Sequence, residues 1–376
     1  MVVPNFARLI YTNLKGPLLS NKIIVLESDD WGAVRSSSAR ALTNLKTTGV
    51  KVDDCHYTKY DALASKEDLE ALFYVLNSVR NSAGESPKIT ANTLVANPNF
   101  EKIAQSSFEQ YYWEDFRETL KRYPQHSNSF SLWQEGMEAG IFHPQFHGRE
   151  HLNISRWMKA LQAEDKITRK AFDLGIYGVS GHIIPSKRAS HLAAFDGGVK
   201  ELIFSRAEIV KVGLQQFKEI FGYSSQSMIA PNYVWDDEIE QAAFNEGVKY
   251  LQSSTAQRVS NDFDAPQQII RHYGGQKNVI GQRYLLRNCH FEPSSNPNKD
   301  WVDSCLNEIK IAFTMRKPAI ISTHRVNFIG FIDAKNRDNN LPKLKSLLSQ
   351  IVKKWPDVVF MTSDQLGVSL DKHSSK

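Results

Sequence analysis

Lys22-Ile23-Ile24-Val25-Leu26-Glu27-Ser28-Asp29-Asp30-Trp31-Gly32 decides how this chain is read. Residues 22–27 carry a short, continuous, mostly β-branched apolar run, Ile23 to Leu26, the pattern of a strand buried on both faces. Two residues beyond the run, after Glu27 and Ser28, stand the adjacent carboxylates Asp29 and Asp30. Adjacent carboxylates at the end of a buried strand repel each other and need a compensating positive charge. A buried strand that delivers acids to its carboxyl end is the usual unit of a parallel α/β fold, in which the strand ends converge on one rim and build the site there.

The pattern recurs outward from this stretch. Residues 226–230 form a weaker apolar run that leads into Pro231-Asn232-Tyr233. Ala319-Ile320-Ile321-Ser322-Thr323 leads into His324-Arg325, and a last run covers 357–362. Between these runs lie helical patterns at 67–80, 208–221, 236–246, 302–313 and 341–353, with apolar residues three and four apart. Strands alternating with helices imply a parallel sheet, open or closed. The segment from about 91 to 140 differs, being polar and rich in aromatics such as Trp113, Phe116, Phe130 and Trp133. It reads as a mostly helical insertion whose aromatics pack it onto the main body, within one domain spanning 1–376. The tail from Asp371 reads as disordered.

Composition narrows the function classes. With 376 residues and 41% hydrophobic content the chain can bury a large core. The net charge of +5 comes from scattered Lys and Arg without a nucleic-acid-binding run. No stretch approaches the roughly 18 apolar residues of a membrane span, and Arg8, Asn13 and Lys15 interrupt any signal-like run at the start. A cytoplasmic location is expected. The cysteines, Cys55, Cys289 and Cys305, are odd in number and fit no zinc spacing.

The chemistry-bearing residues gather where strands end. Asp29 and Asp30 read as a metal ligand beside a general base. Gly140-Ile141-Phe142 looks strand-like and runs into His143-Pro144-Gln145-Phe146-His147. If a helix starts here, with Pro144 at its first position, His143 and His147 share one face. Two imidazoles on one face are a usual way to hold zinc, at about 2.0–2.1 Å. Three protein ligands with an open fourth position suit a catalytic metal. His182 and His191 read as ordinary structural histidines.

These clusters resemble the motifs of the polysaccharide deacetylases, carbohydrate esterase family four. Ser28-Asp29-Asp30-Trp31-Gly32 resembles the family's Thr-Phe-Asp-Asp-Gly motif, and His143 to His147 its His-Ser/Thr-x-x-His motif. Pro231-Asn232-Tyr233 is similar to Arg-x-Pro-Tyr, Asp300-Trp301 to Asp-Trp, and Ile321-Ser322-Thr323-His324 to Leu-x-x-His. The order along the chain matches, over about residues 22–368. The resemblance implies a distorted (β/α) barrel of polysaccharide-deacetylase type with helical insertions. It implies a divalent ion, zinc by preference, on Asp30, His143 and His147, with Asp29 as general base and His324 as general acid. The backbone N–H of Tyr233 would support the oxyanion, and Trp31, Arg149, Asp300 and Trp301 would contact substrate.

The activity so implied is hydrolysis of N-acetyl groups on an amino sugar, oligosaccharide or polysaccharide. An O-acetyl esterase or other amidohydrolase on the same scaffold is the alternative, as is a catalytically inactive carbohydrate-binding protein. The expected partner is an acetylated carbohydrate. The family's motif-three arginine has no counterpart here, since positions 229 and 230 are Ile and Ala. Arg149, Arg287 and Arg325 are the candidates to replace it from other loops.

Overall fold

A computed structural model describes residues 5–179, 190–198, 202–262 and 265–374. His182 lies outside these residues. The main sheet contains, in chain order, β1 (Ile23–Trp31), β2 (Ile89–Leu94), β3 (Phe142–Gly148), β4 (Ser227–Ile229), β5 (Tyr250–Ser253), β6 (Arg283–Leu286), β7 (Cys289–His290), β8 (Ala319–His324) and β9 (Val359–Met361). Their spatial order is β6-β5-β4-β3-β2-β1-β8-β7, with β9 also paired to β1, and every pairing is parallel.

The two ends of this order, β6 and β7, are consecutive in sequence. The Arg287 N–H donates to the Ser253 carbonyl of β5 at 2.9 Å, and the Asn288 N–H to the Ile320 carbonyl of β8 at 3.2 Å. Two residues thus carry the chain from one edge of the sheet to the other. The sheet curls into a distorted (β/α) barrel, and Arg287 stands at its seam.

Helices cover the outside for local reasons. Helix α1 (Lys66–Asn77) starts with a reciprocal capping box between Ser65 and Asp68 and buries Leu69, Leu72, Phe73 and Leu76 on one face. Helix α2 (Arg206–Phe221) is capped by Ser205 and ends on Gly222 at φ 78°, a left-handed position that glycine takes without cost. Helix α3 (Trp301–Thr314) and helix α4 (Ala334–Lys354) follow β7 and β8. Among the described residues no helix is long and apolar enough to cross a membrane.

Two expectations change. The aromatic segment does not begin at 91, because Ile89–Leu94 is a central strand of the barrel. Its inward positions Thr90 and Asn92 are polar, which hides the strand from an apolar-run reading. The rest of the segment, three short helices and a small hairpin, packs through Phe116, Phe130 and Trp133 onto Phe142 and Phe221. Residues 371–374 close a terminal helix rather than a disordered tail, and Asp371 there accepts hydrogen bonds from Tyr250 and Arg283.

Candidate metal centre and active site

Two β-bulges aim the site residues. Along β1 the register to β2 passes from Ser28–Ala91 to Trp31–Thr93, so Asp29 and Asp30 together oppose Asn92. A bulge of this kind re-aims side chains that would otherwise alternate. Asp30 carries the strain, at φ 74°. Both carboxylates are buried at the barrel mouth, 4% and 2% exposed. Across β2, the register to β3 slips between Phe146 and Gly148, so His147 occupies a second bulge. Gly148 supplies φ 137° there.

Asp30, His147 and His151 form a buried group whose candidate ligand atoms all lie within 4.8 Å of one another. Asp30 Oδ1 is 3.4 Å from His147 Nε2 and 3.6 Å from His151 Nε2. Ligand atoms on a tetrahedral zinc ion, each about 2 Å from it, lie about 3.3 Å apart, so the donor set fits such an ion. His147 Nδ1 is 2.9 Å from the Ile229 carbonyl, which fixes Nδ1 as the N–H and leaves Nε2 free to bind a metal. Burial depresses the His151 ring to about 3 and keeps it neutral, as a ligand must be. Asp30 is held well below the carboxylate range: burial opposes ionisation, but Arg35 and then His147 outweigh it.

His143 is not part of this group. Residues 142–148 are a strand, not a helix start, and positions four apart along a strand are about 13 Å apart. Pairing to β2 over Ile89–Leu94 overrides the local helix signal of Pro144. The ladder to β4 is confined to Phe146–Met228, so the missing Pro144 N–H costs little on that side. His143 stacks on Tyr223 and lies 3.3 Å from Asp364. The i, i+4 histidine spacing is present twice, and His147–His151 is the pair that converges.

Asp29 is gripped from across the barrel. Arg287 Nη2 donates to Oδ1 at 2.6 Å and Nη1 to Oδ2 at 2.7 Å, while Asn92 donates to Oδ1 at 2.7 Å. The Arg287 Nε–H donates to Glu27 at 2.6 Å. Burial would raise the Asp29 pKa, but the guanidinium more than offsets it and brings it to about 2. Of the three candidate arginines, Arg287 is the one that reaches Asp29. Arg149 is spent on Glu150, at 2.7 and 2.8 Å, beneath Trp113. Arg325 is spent on Asp61.

His324 ends β8 with Nε2 3.6 Å from Asp29 Oδ2 and Nδ1 2.5 Å from Glu292 Oε1. The Tyr57 hydroxyl lies 3.1 Å from the ring nitrogens. Burial works against the charged ring, but Glu292, then Asp29 and Asp30, push it up to about 9. With its side chain 22% exposed, against 6% for Asp29, His324 marks the open side of the site. Glu292 and Tyr57 carry no local signature of these roles, whereas His151 stands four residues after His147, the same spacing that drew attention to His143.

Other expected contacts lie elsewhere. The Tyr233 N–H donates to the Ala230 carbonyl at 3.0 Å and is not free for an oxyanion; its hydroxyl accepts from Arg287 at 3.1 Å. Trp31 is a core residue, edge-on to Phe142 and Trp133, with its indole N–H on Ser28. Asp300 caps α3 through the Asp303 N–H. Trp301 packs in the core and donates to the Asn296 carbonyl. Cys289 and Cys305 are buried free thiols.

No family model matches the chain, and neither does any curated protein. Solved structures do match. A 4-alpha-glucanotransferase from Thermococcus litoralis aligns over 93% of this chain and 40% of its own, at 8% identity and a TM-score of 0.44. This chain thus spans well under half the length of that enzyme. The peptidoglycan deacetylase PdaC of Bacillus subtilis aligns over 95% and 94%, at 10% identity and a TM-score of 0.37. A CE4 family pseudoenzyme from Bacillus anthracis aligns over 92% and 66%, at 8% identity and a TM-score of 0.34. The solved structures that this chain matches across nearly its whole length include proteins described as a polysaccharide deacetylase, a peptidoglycan deacetylase and the Xyl-CE4 domain of a multidomain xylanase.

Proposed function

We propose that this chain is a metal-dependent deacetylase acting on an N-acetylated sugar, with the ion held by Asp30, His147 and His151. The observation that carries the reading is the convergence of Asp30, His147 and His151 beside two oppositely poised groups. Asp29 is ionised at about 2 and His324 is protonated up to about 9. Pairs of titratable groups driven apart in this way mark acid and base roles.

A zinc ion on these ligands would polarise the acyl oxygen and lower the pKa of a bound water from about 16 to about 7. Asp29, ionised at every pH of interest, accepts the proton that the attacking water loses. The Arg287 fork and Asn92 hold the carboxylate in place for that transfer. His324 keeps Nδ1 on Glu292 and presents Nε2 towards Asp29 and the open side. Protonated, it delivers that proton to the departing amine nitrogen, and acetate and the free amino sugar leave. The acetylated-carbohydrate substrate is supported by the motif resemblance.

Acetate release from N-acetylglucosamine oligosaccharides and O-acetylated sugars, before and after chelation and zinc restoration, tests the reading. Zinc-restorable release from the N-acetylated set is expected. Glycan binding without release would replace the enzyme with a binding protein, and release from O-acetyl esters alone would make it an esterase.

A further inference from the structure

Resting on the metal reading above, we propose that Arg35 is a positioning residue that makes Asp30 a one-oxygen metal ligand. The two oxygens of Asp30 face different partners. Oδ1 faces His147 and His151, at 3.4 and 3.6 Å. Oδ2 faces Arg35 Nη2, at 3.4 Å. The guanidinium thus stands on the side of the carboxylate away from the histidines. An ion seated between Oδ1 and the two imidazoles gains no second bond from the same carboxylate, and its remaining position stays open to water and substrate.

Arg35 is itself held for this task. Its Nε lies 3.1 Å from Asp61 Oδ2, and Asp61 Oδ1 accepts from Arg325 Nε and Nη2 at 3.0 and 2.9 Å. Arg325 is anchored in turn on the Ala33 carbonyl at 2.9 Å. Asp61 and Arg325 have fully buried side chains. Two backbone features make room. Arg35 sits at φ 32°, a strained position for a side-chain-bearing residue. Gly178 lies against it so closely that a Cβ there would fall 2.4 Å from Arg35 Cγ. The Tyr57 ring packs 5.1 Å from the guanidinium carbon and closes the remaining side. A cation this near a dication site repels the ion, so the arrangement makes sense only if orienting Asp30 outweighs that repulsion. Outer partners of metal ligands commonly contribute in this way.

The test is zinc affinity of the full chain, measured by competition with a chromophoric chelator, for wild type, Arg35→Met and Arg35→Lys. Circular dichroism confirms the fold, and the visible spectrum of the cobalt-substituted protein reports coordination. Positioning predicts that Arg35→Met weakens zinc binding about 10- to 100-fold. It also predicts a fainter cobalt spectrum as the second oxygen joins the ion. Arg35→Lys keeps the charge, but its single nitrogen cannot bridge Asp30 and Asp61 as the fork does, so it also loses affinity, by less. An unchanged or tighter zinc affinity in Arg35→Met, the latter being what relief of repulsion gives, overturns the inference. If Arg35→Met does not fold, unchanged affinity in Arg35→Lys overturns it. Wild type that binds no zinc removes the metal reading and this inference together.

Discussion

Arg287 holds both oxygens of Asp29, at 2.6 and 2.7 Å, although 258 residues separate them in the chain. The barrel seam makes this possible, because the residues that join its two edge strands place a guanidinium beside the first strand. Arg287 also binds Glu27, so one cation serves two buried acids.

Removing that cation strands both acids. Arg287→Met is expected to destabilise the fold by about 3–5 kcal/mol, the usual cost of breaking a buried pair by removing one partner. Denaturant unfolding reads this directly. Arg287→Lys retains the charge without the fork, and should fold while losing at least about tenfold in acetate release, since planar two-point recognition is lost. Full activity in Arg287→Lys would show that the fork does not position Asp29.

The two histidine pairs give opposite expectations. His151→Ala should lose most bound zinc, as read by elemental analysis, because it removes one of three protein ligands. His143→Ala should retain zinc at the wild-type level, since that ring faces Asp364 and Tyr223. The reverse pattern would move the site to the other end of the strand.

Protonation of His324 sets an alkaline limit. Its folded value of about 9 lies above the ordinary 6.5, so the protonated ring is favoured by folding. The stability it adds is complete below about pH 6.5 and is lost as pH rises through about 9. A general acid is used up over the same interval, so the rate should fall on the alkaline side near pH 9. Glu292→Gln removes the largest favourable influence on the ring. The alkaline limb should then move towards the ordinary imidazole range, with zinc content unchanged. A limb that stays in place would exclude His324 as the group that titrates there.

What the sequence made legible follows from how local each signal is. The strands at 23–31 and 319–324 were readable because continuous β-branched runs admit few other structures. Ile89–Leu94 was not, because a strand that lines a polar site carries Thr90 and Asn92 where an apolar run would mark it. His143 to His147 carried a sound local helix signal in Pro144, overridden by long-range pairing to β2. Arg287 could be named as a candidate but not chosen, since nothing near it in sequence reports the closure of the barrel. The acids Asp29 and Asp30 were found because adjacent carboxylates on a buried strand are costly without a purpose.

Everything proposed for the site depends on a metal between Asp30, His147 and His151. Crystals soaked in zinc and measured on both sides of the zinc absorption edge test it most directly. One strong anomalous peak per chain is expected, about 2 Å from Asp30 Oδ1, His147 Nε2 and His151 Nε2. A peak between His143 and Asp364, or no peak at the Asp30 group under saturating zinc, would contradict it.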